Sequence, residues 1–330
     1  MSASERPTNS AGDPHLLGRG SVKPRTPALL LPAPWGAARG LLPSELERAG
    51  VAGLVVGAVE LALRPGLDTI AALGGLSRLV GGLPTVGEPG VGAVLGEGGL
   101  PPARIVGVGD ALRYRNGLDG ATGELTPEWS VATQQQLGVT VVVAPALPER
   151  LVVNGREQRL PSALAEQWLR RGAAAGARAA LALIPPGSPA FQRRLLETAV
   201  REQFSGVAVI GAIDRTGWPR EWSWLAVGLQ TVRDLDAAAA LGYDAVVPLF
   251  PTALARAGKA IVADEVVSVA DFPEAAAPLD PVCDCPACRF ALGYLAHLVS
   301  AKELLGETLL LLHNVRAVAR RLGCLDPGGE

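Results

Sequence analysis

Residues 283–313 read CDCPACRFALGYLAHLVSAKELLGETLLLLH, and this stretch holds three of the chain's four cysteines and two of its three histidines. Cys283, Cys285 and Cys288 form C-x-C-x-x-C, and His313 closes the helix-like segment behind them. Three soft sulfurs and one imidazole complete the tetrahedral shell of a structural zinc site, and a closed shell leaves no position open for a substrate. The expectation is therefore structural Zn2+ on Cys283, Cys285, Cys288 and His313. The alternatives are reduced cysteines buried beside a core histidine, or a disulfide pair. His297, three residues after Tyr294 in the same segment, reads as a surface or packing residue, and Cys324 beyond it as a free thiol.

The 330-residue chain as a whole is 48% hydrophobic and 19% charged, enough to bury a sizeable core, and at 4% aromatic that core must be built from Ala, Val and Leu. The net charge of -2 supplies no global basic field for nucleic acid, so any RNA contact would have to be local. Few cysteines, clustered as metal ligands, fit a reducing compartment. No charged-then-apolar leader opens the chain, and no apolar run reaches the roughly 18 residues of a membrane span. The expected location is the cytoplasm.

Residues 1–25 are rich in Ser, Pro, Gly and Arg and read as a flexible lead that contains His15; residues 26–330 read as one domain, with a zinc-binding segment at 280–318. Ordered structure should begin near Pro27. Short runs that are apolar on both faces follow at Gly53–Val59, Arg104–Val108, Val139–Val143, Ala179–Ile184, Gly206–Ile210, Trp224–Val227 and Ala245–Pro248, the pattern of buried parallel strands. Amphipathic segments at Pro43–Ala49, Thr126–Leu137, Gln158–Ala175, Ala190–Gln203 and Val232–Leu241 alternate with them. Such alternation predicts an α/β fold, a (β/α)8 TIM barrel of about 250 residues with a C-terminal zinc-binding subdomain. A doubly wound open sheet is the alternative. Residues 81–103 read as a Gly/Pro loop at the barrel rim, without the Gly-Lys-Ser/Thr ending of a phosphate cradle.

Several stretches together resemble the tRNA-guanine transglycosylase family, zinc-containing barrel enzymes that exchange a guanine in tRNA for a 7-deazaguanine. The zinc run with its closing His313-Asn314 is the most specific. TPALLLPAPWGAARGLLPSELERAG (26–50), VVGAVELALRPG (55–66), ALRYRNGLDGATGELTPEWSVATQQQLGVTVVV (111–143) and LGYDAVVPLFPTALARAG (241–258) follow in the family's order. The resemblance implies tRNA as a partner, a dimer contact near the zinc region, and a double displacement at ribose C1′ by a carboxylate nucleophile, with a second carboxylate as general acid/base.

Carried over residue by residue, that pattern breaks at the reaction centre. The nucleophile position is Val247. The second aspartate aligns roughly with Glu88, the base-binding aspartate falls near Ala146, and the base-reading loop reads Pro185-Pro186-Gly187. Glu88 and Asp244 are the remaining catalytic candidates; Asp244 matches a family aspartate that is not the nucleophile, and Glu60 and Asp214 are further carboxylates near the expected rim. The expectation is a non-catalytic or accessory subunit in tRNA 7-deazaguanine modification, in a homodimer or a heterodimer with a catalytic transglycosylase. The alternatives are a divergent base-exchange enzyme using relocated carboxylates, and a small-molecule binding protein on the same scaffold. Arg316, Arg320 and Arg321 read either as a solvated helix face or as phosphate contacts.

Overall fold

The strands are short because each needs only a few residues to cross a core made of Ala, Val and Leu. In the computed structural model, which describes residues 27–95, 103–117, 119–177 and 180–325, eight parallel strands make the main sheet. They are Ala28–Pro32 (β1), Val51–Gly57 (β2), Thr85–Glu88 (β3), Val143–Ala144 (β4), Leu181–Ile184 (β5), Gly206–Ile210 (β6), Ser223–Leu229 (β7) and Ala245–Pro248 (β8). Leu30, Val56, Ala182, Val207, Ala226 and Val246 are fully buried, as strands covered on both faces require. The lead at 1–25, with His15, and positions 96–102 of the Gly/Pro loop lie outside the described residues.

The hydrogen-bonded order is β3-β2-β1-β8-β7-β6-β5-β4. Its two ends meet. Val86 bridges Val141 in parallel, with Gly87 N–H on the Val141 carbonyl and Val141 N–H on the Thr85 carbonyl, both at 2.9 Å. Thr85 and Thr140 add a reciprocal pair, each backbone N–H donating to the other's hydroxyl at 3.0 and 3.3 Å. This near-closed ring is the (β/α)8 barrel, not the open sheet.

The helices start where the sequence caps them. Pro43–Arg48 (α1) lies between β1 and β2, and Ala58–Leu63 (α2) follows β2. Pro127–Leu137 (α3) carries Thr126 as N-cap, its hydroxyl accepting from Trp129 N at 3.1 Å, with Pro in the first turn. Ser162–Gly172 (α4) and Pro189–Arg201 (α5) flank β5, and Val232–Ala240 (α6) opens on a capping box of Thr231 and Asp234. Gln134 of α3 reaches in to serve the two-residue β4: its Oε1 accepts from Val143 N and its Nε2 donates to Val143 O, each at 2.9 Å. That side chain crosses Gly87, where a Cβ would sit 2.1 Å from Gln134 Oε1, so the strand can carry no side chain there.

Between β6 and β7 there is no helix. The link is held by aromatics: Trp218 stacks on Trp222 at 6.3 Å, and Tyr243 Oη accepts from Ile213 N at 2.9 Å. After β8 come Phe250–Arg256 (α7), a hairpin of Lys259–Val262 and Glu265–Ser268, Leu292–Ser300 (α8) and the long Leu304–Arg321 (α9).

Three expectations shift. β3 lies inside the stretch read as a Gly/Pro loop. Arg104–Gly107 is a strand, but it pairs with Leu112–Arg115 in a separate antiparallel sheet that also contains Thr122–Leu125. The segment read as one helix from Gln158 begins with strand Arg156–Arg159, paired to Arg150–Val153 across a tight turn at Asn154 (φ 51°) and Gly155 (φ 77°). These insertions cover a second core of Leu112, Leu125, Leu147, Leu151 and Trp168. Trp168, fully buried, donates its indole N–H to Gly109 O at 2.8 Å.

Candidate functional site

The cysteine run forms a loop and a short 3-10 turn, Pro286–Arg289, laid against α9. Cys283, Cys285, Cys288 and His313 are all buried, and their ligand atoms lie within 4.8 Å of one another. Cys285 Sγ is 3.7 Å from Cys288 Sγ, and His313 Nδ1 is 3.6 Å and 3.3 Å from those two sulfurs. His313 Nε2 sits 2.9 Å from the Ile261 carbonyl. A carbonyl can only accept, so Nε2 carries the proton and Nδ1 turns its lone pair toward the sulfurs, the orientation a metal needs.

A buried set of three sulfurs and one ring nitrogen that converges on one point fits structural zinc.

Asn314, fully buried, explains why an amide follows the histidine. Its Oδ1 accepts from Ile261 N at 2.9 Å, and its Nδ2 donates to Lys259 O at 3.0 Å and Pro251 O at 3.3 Å. It joins α7, the hairpin and α9 around the metal site. His297 is exposed on α8, its ring 6.5 Å from that of Tyr294, and belongs to no metal cluster among the described residues. The arginines of α9 are neutralised: Arg316 pairs with Asp284, Arg320 with Asp280 at 3.0 Å, and Arg321 with Asp236 at 2.7 Å and with Asp264. Cys324 is a free thiol whose Sγ lies 3.4 Å from Pro27 O.

At the C-terminal ends of the strands opens a cavity of about 620 Å³. Its floor is apolar, with Val55, Val86, Leu183, Ala208, Leu225 and Val227 coming from β2, β3, β5, β6 and β7. Among the described residues, polar side chains enter only at its rim: Glu88, Glu149, Arg150, Arg159 and Ser188. Val247 pairs in register with Val227 and therefore shares its inward face, where it is 1% exposed.

The carboxylates near the mouth are engaged. Glu88, at the end of β3, accepts from Gly90 N at 2.9 Å and Gly92 N at 3.1 Å, holding the turn of helix at Val91–Val94. Glu149, 7% exposed, was not singled out in the sequence. Its Oε1 accepts from Arg159 Nη2 at 2.6 Å, Arg159 Nε at 3.1 Å and Ser188 Oγ at 3.1 Å; its Oε2 accepts from Ser188 N at 2.6 Å. The Ser188 backbone N–H, then the Arg159 side chain, hold the Glu149 carboxyl below the usual range.

Asp244 lies at the opposite end of the barrel, just before β8, where its carboxylate accepts from Trp224 N at 2.8 Å and its carbonyl accepts from Ala28 N at 2.8 Å. It ties β1, β7 and β8 together at the strand starts, away from the mouth. Asp214, exposed, accepts from Thr216 N at 2.9 Å and Thr216 Oγ1 at 2.8 Å in a local turn. Glu60, in the first turn of α2, is 2% exposed, and its Oε2 has no hydrogen-bond partner among the described residues. Burial pushes its carboxyl up to about 7. Glu88 and Asp244 are therefore not brought together, and no pair of free carboxylates faces the cavity among the described residues.

A family model described as queuine tRNA-ribosyltransferase matches residues 17–322. Curated relatives named Queuine tRNA-ribosyltransferase are similar along nearly the same span. The protein of Thermus thermophilus is 33% identical, covering 89% of this chain and 81% of its own length. That of Thermosynechococcus vestitus is 32% identical, covering 85% and 79%. That of Gloeobacter violaceus is 30% identical, covering 89% and 84%.

Proposed function

This chain belongs to the queuine tRNA-ribosyltransferase family, and from that premise we propose that it serves tRNA 7-deazaguanine modification as a non-catalytic, accessory subunit with a structural zinc. One observation carries the reading. At the position where the resemblance expects an attacking carboxylate, Val247 is sealed at 1% exposure, and the carboxylates that line the cavity among the described residues, Glu88 and Glu149, are both spent on backbone and side-chain hydrogen bonds. A double displacement needs one free carboxylate to attack and another to move the proton. Residues 26–330 act as one unit in this reading, and the zinc segment at 280–318 holds its shape.

The partners proposed are tRNA and a second subunit, either another copy or a catalytic transglycosylase. Support for a subunit contact near the zinc comes from apolar side chains exposed there: Val282 and Leu304 at 83% and 81%, with Phe290 and Tyr294 beside each other at 5.3 Å. The proposed location is the cytoplasm, where three clustered thiols stay reduced; no helix among the described residues is long and apolar enough to cross a membrane.

The experiment is base exchange with tRNA and labelled guanine or a labelled 7-deazaguanine. The protein is assayed alone and mixed with a competent transglycosylase. Exchange enhanced only in the mixture is expected. Exchange by the protein alone would overturn the accessory role in favour of a divergent enzyme.

A further inference from the structure

The cavity at the strand ends is shaped for something other than a guanine. A purine edge is read by hydrogen-bonding groups set into the pocket, and a site without them loses its selectivity by orders of magnitude. Here the floor is Val, Leu and Ala, and among the described residues the polar side chains stand only at the rim. The volume of about 620 Å³ falls in the range of sites that enclose drug-sized ligands.

Beside it, sharing Glu149, Arg159 and Ser188, lies a second cavity of about 430 Å³ that also takes in Ser162, Phe191 and Arg194. Two arginines face one glutamate there, so the second cavity is cationic. Arg159 spends Nε and Nη2 on Glu149, and Arg194 gives only Nη1, at 3.4 Å, to Ser162 Oγ. Among the described residues the remaining guanidinium N–H groups make no hydrogen bond and so are available to an anion, and the two bonds to Glu149, itself held by Ser188, restrain Arg159.

We propose that the barrel mouth binds a small amphipathic anion, with a compact apolar body in the larger cavity and a single carboxylate, sulfonate or phosphate group on Arg159 and Arg194 in the smaller one. The apolar floor supplies the affinity and the arginines fix the orientation. The site is independent of the accessory role, because it requires neither tRNA nor a second subunit.

The test uses the full-length, zinc-loaded protein alone and two fluorescent probes with the same aromatic skeleton. 8-Anilinonaphthalene-1-sulfonate carries one anionic group, and N-phenyl-1-naphthylamine carries none. The sulfonate should bind one per chain, at least about fivefold tighter than the neutral probe. Arg194→Ala, at an exposed position, should remove that preference and leave the neutral probe unchanged. Ile210→Trp, at the half-buried mouth, should weaken both; Ala208→Leu, a smaller change on the floor, guards against misfolding, with the thermal midpoint checked for each variant. Equal binding of the two probes, or no effect of Arg194→Ala, would overturn the anion subsite. Unchanged binding in both folded cavity variants would overturn the barrel site, and displacement of the sulfonate by guanine at equal concentration would overturn the apolar reading.

Discussion

Replacing Glu60 with Gln isolates the cost of one buried carboxylate. Glu60 is 2% exposed, its Oε2 has no hydrogen-bond partner among the described residues, and burial raises its carboxyl from the ordinary 4.5 to about 7. The folded state therefore keeps a proton that the unfolded chain gives up once the pH passes 4.5. Between pH 4.5 and about 7 the folded protein binds more protons, so its stability falls as pH rises and levels off above 7. The gap between the two values corresponds to about 3 kcal/mol. Gln has nearly the same shape and no charge, so Glu60→Gln should exceed the parent by no more than about 1 kcal/mol at pH 5 and by about 3 kcal/mol at pH 8, the latter roughly 5 °C in Tm. The assay is denaturant or thermal unfolding of both proteins from pH 5 to 8 at fixed zinc, which cancels the titration of the cysteine cluster. A stability difference that stays constant across this range, or a variant no more stable than the parent at pH 8, would refute the reasoning.

Cys285→Ser should lower bound zinc from one per chain to near zero by elemental analysis; retention of a full equivalent would show that the cluster is not the metal site. Asn314→Ala orphans Ile261 N–H and the Lys259 and Pro251 carbonyls. At 1–3 kcal/mol for a buried group left unpaired, it should cost about 3 kcal/mol in denaturant unfolding, and a loss below about 1 kcal/mol would contradict the bracing role. Val247→Asp buries a carboxylate at a 1% exposed position, so it should destabilise by about 3 kcal/mol or more without conferring labelled-guanine exchange. Turnover by this single variant would mean that the rest of the reaction centre is intact.

What was legible in the sequence was what local pattern encodes. C-x-C-x-x-C placed three ligands within six residues, and the Thr126-Pro127 start of α3 and the β6 and β8 boundaries followed from capping and apolar runs. Even the hairpin that the helix reading overran carried its mark, Asn154-Gly155 between two short strands. β3 carried none. Thr-Val-Gly-Glu is four residues long and set among glycines, and it is a strand because β2 and Val141 hydrogen-bond to it. The sequence of Arg104–Gly107 favoured a strand, but no periodicity could say that its partner would be Leu112–Arg115 and not the barrel.

The Glu149 cluster was invisible for the same reason. Its members stand ten and 39 residues apart and meet only when β4 and β5 lie side by side. The same geometry separates the two carboxylates that a linear reading groups as candidates: Glu88 is at the end of a strand, and Asp244 at the start of one. The sequence by itself determined the family, the strand-helix alternation and the metal ligands, because each rests on spacing along the chain. Only the tertiary structure decided which carboxylates are spent, where the barrel closes and what its mouth can hold. Burial and hydrogen-bond partners are set by neighbours in space, and a parallel barrel draws those neighbours from strands far apart in sequence.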